Sequence, residues 1–452
     1  MKRKLKFGLA GTIFALAWPT MLEQLMQTAV QYIDTAMVGA IGTYATAAVG
    51  STTTVNWLIN SSLFAFGVGF LAHISQALGA GKEEKARKAA GQAVFMVLVL
   101  GIVCSVVILS LSRYVPIWMR VDPKIQELAG RYFFIIYTPI LFRTAYSIFG
   151  TVLRAAGDTK TPMRIGLMMN VMNIILNFFL IYESRVMTLP LVGTFTCPGA
   201  GMGAIGAATA SAVSFTMGGL LITTALMRHP VISPVGTSIK PDLKVLIPCL
   251  RVAFPNMVQR FCTSFGYVIF ASMINSLGNI STAAHTIANT VESAFYIPGY
   301  GMMTASATLT GNAYGAGDEE LRIDTGRMIV FIEVMLMLLS GGLLFIFAPQ
   351  MVSLFSRDPQ VQILSVTVLR MVAVSEPFYG ISIVVEGMLQ GLGQTVKPFI
   401  YNVSCMWGIR IVGTFICTGL LGMGLVSAWG CMIANNMVLF LLFGSHYKRK
   451  LA

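Results

Sequence analysis

Long apolar stretches separated by short polar connections occupy almost the whole chain. A helix that crosses a bilayer needs about 20 predominantly apolar residues, and twelve segments reach that length. The predicted spans are residues 12–38, 48–77, 91–112, 128–153, 164–183, 202–227, 249–276, 284–312, 326–348, 364–390, 399–420 and 423–444. This pattern predicts an all-α polytopic membrane protein with twelve transmembrane helices. Because the number of spans is even, both ends of the chain are expected on one side of the bilayer.

The amino-acid composition also indicates a membrane protein, and its basic residues predict the orientation of the spans in the bilayer. Of all residues, 56% are hydrophobic and 11% are charged, whereas soluble domains carry about 25% charged residues. The net charge of +13 does not indicate a nucleic-acid partner, because most basic residues lie in the tails and the even-numbered connections, which marks those parts as cytoplasmic. We therefore expect a multi-pass protein of the cell (inner) membrane, embedded in the lipid bilayer, with both termini in the cytoplasm. The basic residues of the tails are Lys2, Arg3, Lys4, Lys6, Lys448, Arg449 and Lys450.

The two halves of the chain repeat each other at an offset of 236 residues. Residues that correspond at this offset are Pro19 and Pro255, Gly79 and Gly315, Gly81 and Gly317, Asp122 and Asp358, and Gly157 and Gly393. Late in each half, Gly201 corresponds to Gly422 at an offset of 221, because the first half has a longer outer connection at 184–200. One register held over most of each half indicates an internal duplication.

Six spans in each half give the halves the same orientation in the membrane. They should therefore form two lobes related by a pseudo-two-fold axis along the membrane normal. We predict an N-terminal lobe at 1–228, a polar, proline-rich cytoplasmic linker at 229–247 and a C-terminal lobe at 248–452. Two parallel lobes suit a transporter, in which one lobe rocks against the other around a central cavity. The alternative is a static bundle that arose by gene duplication.

Polar residues inside the first-lobe spans recur at helical spacing. Span 1 carries Thr20, Gln24, Gln27, Gln31 and Asp34 at intervals of three and four, which places them on one helix face. Exposing such a polar face to lipid costs free energy, whereas exposing it to a water-filled cavity costs little. We therefore predict a polar cavity in the first lobe. The other spans that contribute to it would supply Asn56, Asn60, Asn170, Asn173, Asn177 and Thr209.

Among these polar residues, Asp34 is the acidic one, and it lies well inside the membrane. A deprotonated carboxylate can hold Na⁺ or an organic cation, with amide and hydroxyl oxygens completing the shell, and a protonated one releases both. An intramembrane acid is by default a functional hypothesis. The alternative is an interfacial aspartate that touches headgroup water. Glu23 lies on another face of the same span, where partnership with a basic side chain is at least as plausible as a role in transport.

The second lobe carries several charged residues within or near its spans. Arg260 and Arg410 could form ion pairs with Glu292, Glu376 or Glu386, so this polar network is equally consistent with a structural and a transport role. Arg143 in span 4 has no obvious partner in the sequence. We find no catalytic constellation and no metal-ligand spacing, and we expect no cofactor other than a coupling ion. An integral membrane enzyme is therefore disfavoured.

Four motifs resemble the multidrug and toxic compound extrusion (MATE) family, and the resemblance covers almost the whole chain. They are WPTMLEQLMQTAVQYIDTAMVG at 18–39, ISQALGAGKEEKARK at 74–88 with its second-half partner TGNAYGAGDEE at 310–320, and the turns LRAAGDTKTP at 153–162 and GMLQGLGQTVKP at 387–398. The resemblance implies two six-helix lobes around a V-shaped cavity. It also implies export of amphipathic, often cationic drugs and metabolites, driven by inward movement of Na⁺ or H⁺.

The resemblance also assigns residues. Asp34 matches the acidic residue that members use for cation coupling, and Asn173, Asn177 and Thr209 match positions that complete a cation site in some members. Asn177 departs from relatives that carry an aspartate there. Thr263 and Tyr379 stand roughly where NorM-like members carry a second-lobe Glu and Asp, so the pattern is closer to DinF-like members.

These observations predict a monomeric secondary antiporter, not an enzyme, that exports a small-molecule substrate in exchange for H⁺ or Na⁺ bound at Asp34. The alternative within transport is an exporter or flippase of lipid-linked sugars, which would need a strongly basic central cavity. The few intramembrane basic residues argue against that alternative.

Overall fold

The computed structural model describes residues 2–119, 121–189 and 193–450 and is mainly helical. The side chains of Lys2, Arg3, Lys4, Lys6 and Lys450, which belong to the predicted tail charge, lie outside the described residues. The first-half helices are α1 Lys2–Gly39, α2 Thr43–Gly79, α3 Glu83–Leu111, α4 Val115–Trp118, α5 Pro123–Tyr137, α6 Ile140–Ala155, α7 Lys160–Leu180 and α8 Gly203–Met227.

The second half continues with one long helix per span, apart from two interruptions. Its helices are α9 Leu243–Asn275, α10 Asn279–Phe295, α11 Ile297–Gly315, α12 Glu319–Ser353, α13 Pro359–Gly391, α14 Val396–Cys405, α15 Val412–Thr414 and α16 Leu425–Lys450. The π-helical turn Met406–Ile411 joins α14 to α15, and a second π-helical turn, Phe415–Leu420, follows α15, so residues 396–420 form one continuous helical segment.

Nine helices of the described residues are long and apolar enough to cross a membrane, or ten if the bent pair α5–α6 counts as one span. The pair is bent by 51° at Thr138–Pro139, where proline cannot continue the hydrogen-bond ladder of the helix. Two further segments of membrane-spanning length remain, α1 and the pair α10–α11. In α1 the polar stripe lowers the average hydropathy. Counted with these two, the described segments number twelve and coincide with the predicted spans.

Local backbone geometry repeats at the offset seen in the sequence. Gly81 and Gly317 both end a helix–loop turn with positive φ, 68° and 70°, a conformation that favours glycine. Asp122 and Asp358 both cap a following helix, accepting hydrogen bonds from the backbone N–H groups of Lys124 and Gln360. The same turn and the same cap therefore recur in both lobes.

The described residues of the outer connection at 184–200 form the two strands of a β-hairpin, a structure that we did not predict. Strand β1, Glu183–Leu189, pairs antiparallel with β2, Gly193–Ala200, with Val186 opposite Thr196. The hairpin projects from one end of the bundle, which we call the hairpin face. The opposite end carries both tails, and we call it the tail face.

The two lobes meet close to the tail face. There α2 packs against α9 and α11, and α1 packs against α11. The side-chain amide of Gln76 donates to the carbonyl of Gly391 at 2.8 Å, and the hydroxyl of Thr308 donates to the carbonyl of Arg154 at 3.1 Å. Towards the hairpin face the described residues make one interlobe hydrogen bond, from Tyr32 to the carbonyl of Thr290 at 3.4 Å. The lobes are thus closed at the tail face and diverge towards the hairpin face.

Candidate functional site

A cavity of about 580 Å³ lies in the first lobe. Helices α1, α2, α6, α7 and α8 form its walls, with Tyr132 contributed by α5. Eight of the residues predicted for this cavity line it, whereas Thr20, Asn177 and Thr209 are not among its described lining residues. The eight are Gln24, Gln27, Gln31, Asp34, Asn56, Asn60, Asn170 and Asn173. Their spacing of three or four residues keeps them on one face of each helix, so the polar faces of three helices converge.

Asp34 is held by side-chain amides from α7. The Nδ2 of Asn177 donates to Asp34 Oδ1 at 2.6 Å. With the amide of Asn173 oriented so that its nitrogen faces Asp34, that nitrogen lies 2.9 and 3.3 Å from the two carboxylate oxygens, and its oxygen accepts from Ser211 Oγ at 3.2 Å. The two asparagines are one helical turn apart, which lets both reach the same carboxylate.

The surroundings of Asp34 lack a fixed positive partner, since no ion pair within the described part of the chain includes it. The Oδ1 of Asn177 is buried and has no hydrogen-bond partner among those residues. A carboxylate, amide oxygens and a serine hydroxyl are oxygen ligands of the kind that hard cations prefer. The carboxylate is also positioned to exchange a proton with water in the cavity.

Thr209 does not take the position that we predicted. Its hydroxyl donates to the carbonyl of Ile205 in its own helix, and it is not among the described residues that line the cavity. The cavity face of α8 instead carries Ser211, Ser214 and Phe215. Positions two apart on a helix point about 200° from each other, so Thr209 and Ser211 cannot share that face.

Glu23 and Arg154 form a buried ion pair at the end of the cavity nearest the tail face. Arg154 Nη2 lies 2.6 Å from Glu23 Oε2, and the hydroxyl of Tyr146 donates to Glu23 Oε1 at 2.7 Å. Of the two interpretations left open for Glu23, partnership with a basic side chain is the one that the structure shows. Because Arg154 also accepts the interlobe hydrogen bond from Thr308 through its carbonyl, the pair lies beside the closed contact between the lobes.

Replacing Glu23 with glutamine should lower the free energy of unfolding by about 3–5 kcal/mol, because it leaves the Arg154 charge buried and unpaired. Thermal unfolding of the purified protein in detergent measures this loss. Glu84→Gln is the matched control, since its exposed pair with Lys88 should contribute no measurable stability. Equal unfolding temperatures for Glu23→Gln and the parent would contradict the prediction.

Aromatic residues complete the cavity and were not predicted individually. They are Trp57, Phe64, Tyr132, Tyr146 and Phe215. Aromatic residues are common in every span, so their identity gives no signal of which ones face the cavity. Together with the polar faces they create a pocket that is polar on some walls and apolar on others, as a ligand with both characters requires.

The second-lobe ion pairs that we considered do not form within the described residues. Arg410 lies instead over the rings of Tyr267 and Phe270, with its guanidinium carbon 4.6 and 4.1 Å from their centroids. Arg260 lies 6.0 Å from the ring centroid of Phe64. Rings can accept these cations because their faces are electron-rich.

The second-lobe acids divide into two environments. Glu386 accepts hydrogen bonds from the side-chain amides of Gln259, Gln390 and Asn402, at 2.9, 3.2 and 2.9 Å. Glu376 is buried with one oxygen that has no hydrogen-bond partner among the described residues, and Glu292 is also buried. The polar network is thus built on amides and aromatic rings rather than on ion pairs.

A small second-lobe pocket of about 100 Å³ adjoins Trp57, which also lines the first-lobe cavity. Its walls include Thr263 and Tyr379, the two residues on which the resemblance to the DinF-like pattern was based. The assignment to the DinF-like pattern remains a prediction from these two residues.

The sequence matches the model of the MatE family over residues 19–179 and 255–416, one match in each half. The chain belongs to the MatE family. This family comprises membrane transporters, which confirms that the protein is a transporter rather than an enzyme. The match also confirms the multi-pass topology and the twelve-helix, two-lobe fold.

Individual relatives cover nearly the whole protein. The probable multidrug resistance protein NorM of Thermotoga maritima is 27% identical over 97% of this chain and 93% of its own length. The crystal structure of MATE in complex with MaD3S superposes with a TM-score of 0.88 at 22% identity, covering 98% of this chain and 96% of the other. An outward-facing MATE family transporter of the MOP superfamily superposes with a TM-score of 0.87 at 23% identity, with the same coverage.

Proposed function

We propose that this MatE protein is a secondary antiporter that exports amphipathic, cationic drugs or metabolites in exchange for H⁺ or Na⁺ bound at Asp34. The observation that carries the proposal is the carboxylate of Asp34, which lies in the first-lobe cavity, accepts hydrogen bonds from amides and forms no ion pair with any described residue. The name of NorM of Thermotoga maritima, a probable multidrug resistance protein, supports drugs as substrates.

The exchange follows from competition for one carboxylate. When Asp34 is deprotonated and free of metal, it attracts a cationic substrate that enters the cavity. When H⁺ or Na⁺ binds there, the attraction is lost and the substrate leaves. Binding of Na⁺ would require the amides of Asn173 and Asn177, which now donate to Asp34, to turn so that their oxygens face the ion. An inward-moving cation gains about 2.3 kcal/mol per charge per 100 mV of membrane potential, which drives the cycle.

The proposal includes an orientation. Both termini, the tail face and the linker at 229–247 lie in the cytoplasm, and the hairpin face lies outside the cell (inner) membrane. The lobes are taken as 1–228 and 248–452, and the transporter works as a monomer. In this orientation the closed tail face and divergent hairpin face correspond to an outward-open state.

Efflux from proteoliposomes under separately imposed gradients tests the proposal. A fluorescent cationic dye is loaded, and its exit is followed with an inward proton gradient, an inward Na⁺ gradient, or neither. One of the two gradients should accelerate dye exit. Equal rates under all three conditions would contradict antiport.

A further inference from the structure

Arg143 is a buried cation on the wall of the first-lobe cavity. It projects from α6 and is 4% exposed. The described residues place no carboxylate within ion-pair distance of its guanidinium. A charge in this position is costly unless something compensates it, so its surroundings are informative.

Neutral groups hold the guanidinium. Its carbon lies 4.6 Å from the ring centroid of Tyr137 and 4.1 Å from that of Phe215. Nη1 donates to the carbonyl of Ile136 at 3.1 Å, beside the break between α5 and α6, and Nη2 donates to Asn60 Oδ1 at 3.1 Å. The Nε group has no hydrogen-bond partner among the described residues. These contacts fix the cation without neutralising its charge.

Among the four charged residues that line the cavity, one acid and one base form no ion pair with any described residue. Its lining contains Glu23, Asp34, Arg143 and Arg154, and Glu23 and Arg154 neutralise each other in their ion pair. Asp34 and Arg143 remain. Both residues line the same cavity, together with Tyr132, so the two charges belong to one site.

We propose that Arg143 is an anion-binding subsite of the cavity, which recognises the carboxylate of an amphipathic, zwitterionic substrate. A substrate carboxylate would replace the neutral amide oxygen of Asn60, which faces the cavity, and gain a charge-assisted hydrogen bond. The ammonium group of the same molecule would lie towards Asp34, and its rings would contact Phe64 and Phe215. This inference rests on the proposed function and names the substrate class of the same cavity.

Equilibrium binding of two dyes tests the inference without any ion gradient. Rhodamine 110 carries a free carboxyl group, and rhodamine 123 is its methyl ester, so the pair differs only at the anionic group. Fluorescence anisotropy with the purified protein in detergent gives both affinities. The wild type should bind the acid at least fivefold more tightly than the ester. Arg143→Gln should weaken binding of the acid by about tenfold or more and leave the ester within about twofold.

Two further variants separate charge from structure. Arg143→Lys keeps the charge and should retain part of the preference for the acid, and it also serves if the glutamine variant does not fold. Arg410→Gln is the matched control. Arg410 is as buried as Arg143 and lies at the same distances from two aromatic rings, but it belongs to the second lobe. The variant should leave the preference unchanged.

Two outcomes would overturn the inference. One is a wild type that binds the acid no more tightly than the ester. The other is an Arg143→Gln variant that loses both dyes equally, which would assign Arg143 to the structure of the α5–α6 break. Because no gradient is present, either result leaves the antiport test unaffected, and absent antiport would not alter the dye preference.

Discussion

Replacing Asp34 with asparagine is expected to abolish ion-driven efflux while leaving the protein folded. Asparagine has nearly the same shape and can still accept the hydrogen bond that Asn177 donates to Asp34 at 2.6 Å. It cannot take up a proton or hold a cation by charge, so the two states that drive exchange no longer differ. Dye exit from proteoliposomes under an imposed gradient should fall to the rate of protein-free vesicles.

Glu386→Gln is the informative counterpart of Asp34→Asn. The Glu386 carboxylate is also held by side-chain amides, but in the second lobe. If the first lobe carries the coupling, Glu386→Gln should retain gradient-driven exit. Normal ion-driven efflux in Asp34→Asn would disprove the role of Asp34, and loss of it in both variants would show that the second lobe contributes.

Sequence periodicity predicted the parts of the site that depend on one helix at a time. Gln24, Gln27, Gln31 and Asp34 reach the cavity because a spacing of three and four fixes their common face. The span limits followed equally directly from apolar length. No neighbouring element needs to be known for these inferences.

Inferences that require the contact between two helices were less successful. Thr209 was assigned to the cavity and Ser211 was not considered, because the sequence gives no rotation of α8 about its own axis. Ion pairing was one interpretation of Arg410, and its two ring contacts were not considered, since a sequence shows charges but not that two rings will enclose a cation. The hairpin at 183–200 was missed because strand pairing in a short outer connection has no apolar periodicity to reveal it.

Substituting Gly79 with valine is expected to abolish efflux by preventing closure of the tail face. A side chain at Gly79 would collide with the backbone carbonyl of Asn312, and one at Gly315 would collide with that of Gln76. Gly79 corresponds to Gly315, and Gln76 to Asn312, at the repeat offset of 236. The contact between α2 and α11 is therefore symmetric: each helix places a glycine against the backbone of the other at equivalent positions. Only glycine permits the two backbones to approach so closely.

The same contact must separate when the tail face opens, so Gly79→Val should trap the transporter with its cavity accessible from that face. A cysteine introduced at Gln24 in a background without the native cysteines reports this accessibility. A membrane-impermeant maleimide should label it from the hairpin face in the parent and from the tail face in Gly79→Val. Gly342→Val provides the control, because it makes the same change in α12 with no atom within 4 Å of the new side chain. Unchanged labelling together with normal efflux in Gly79→Val would show that rocking of the lobes does not require this contact to close.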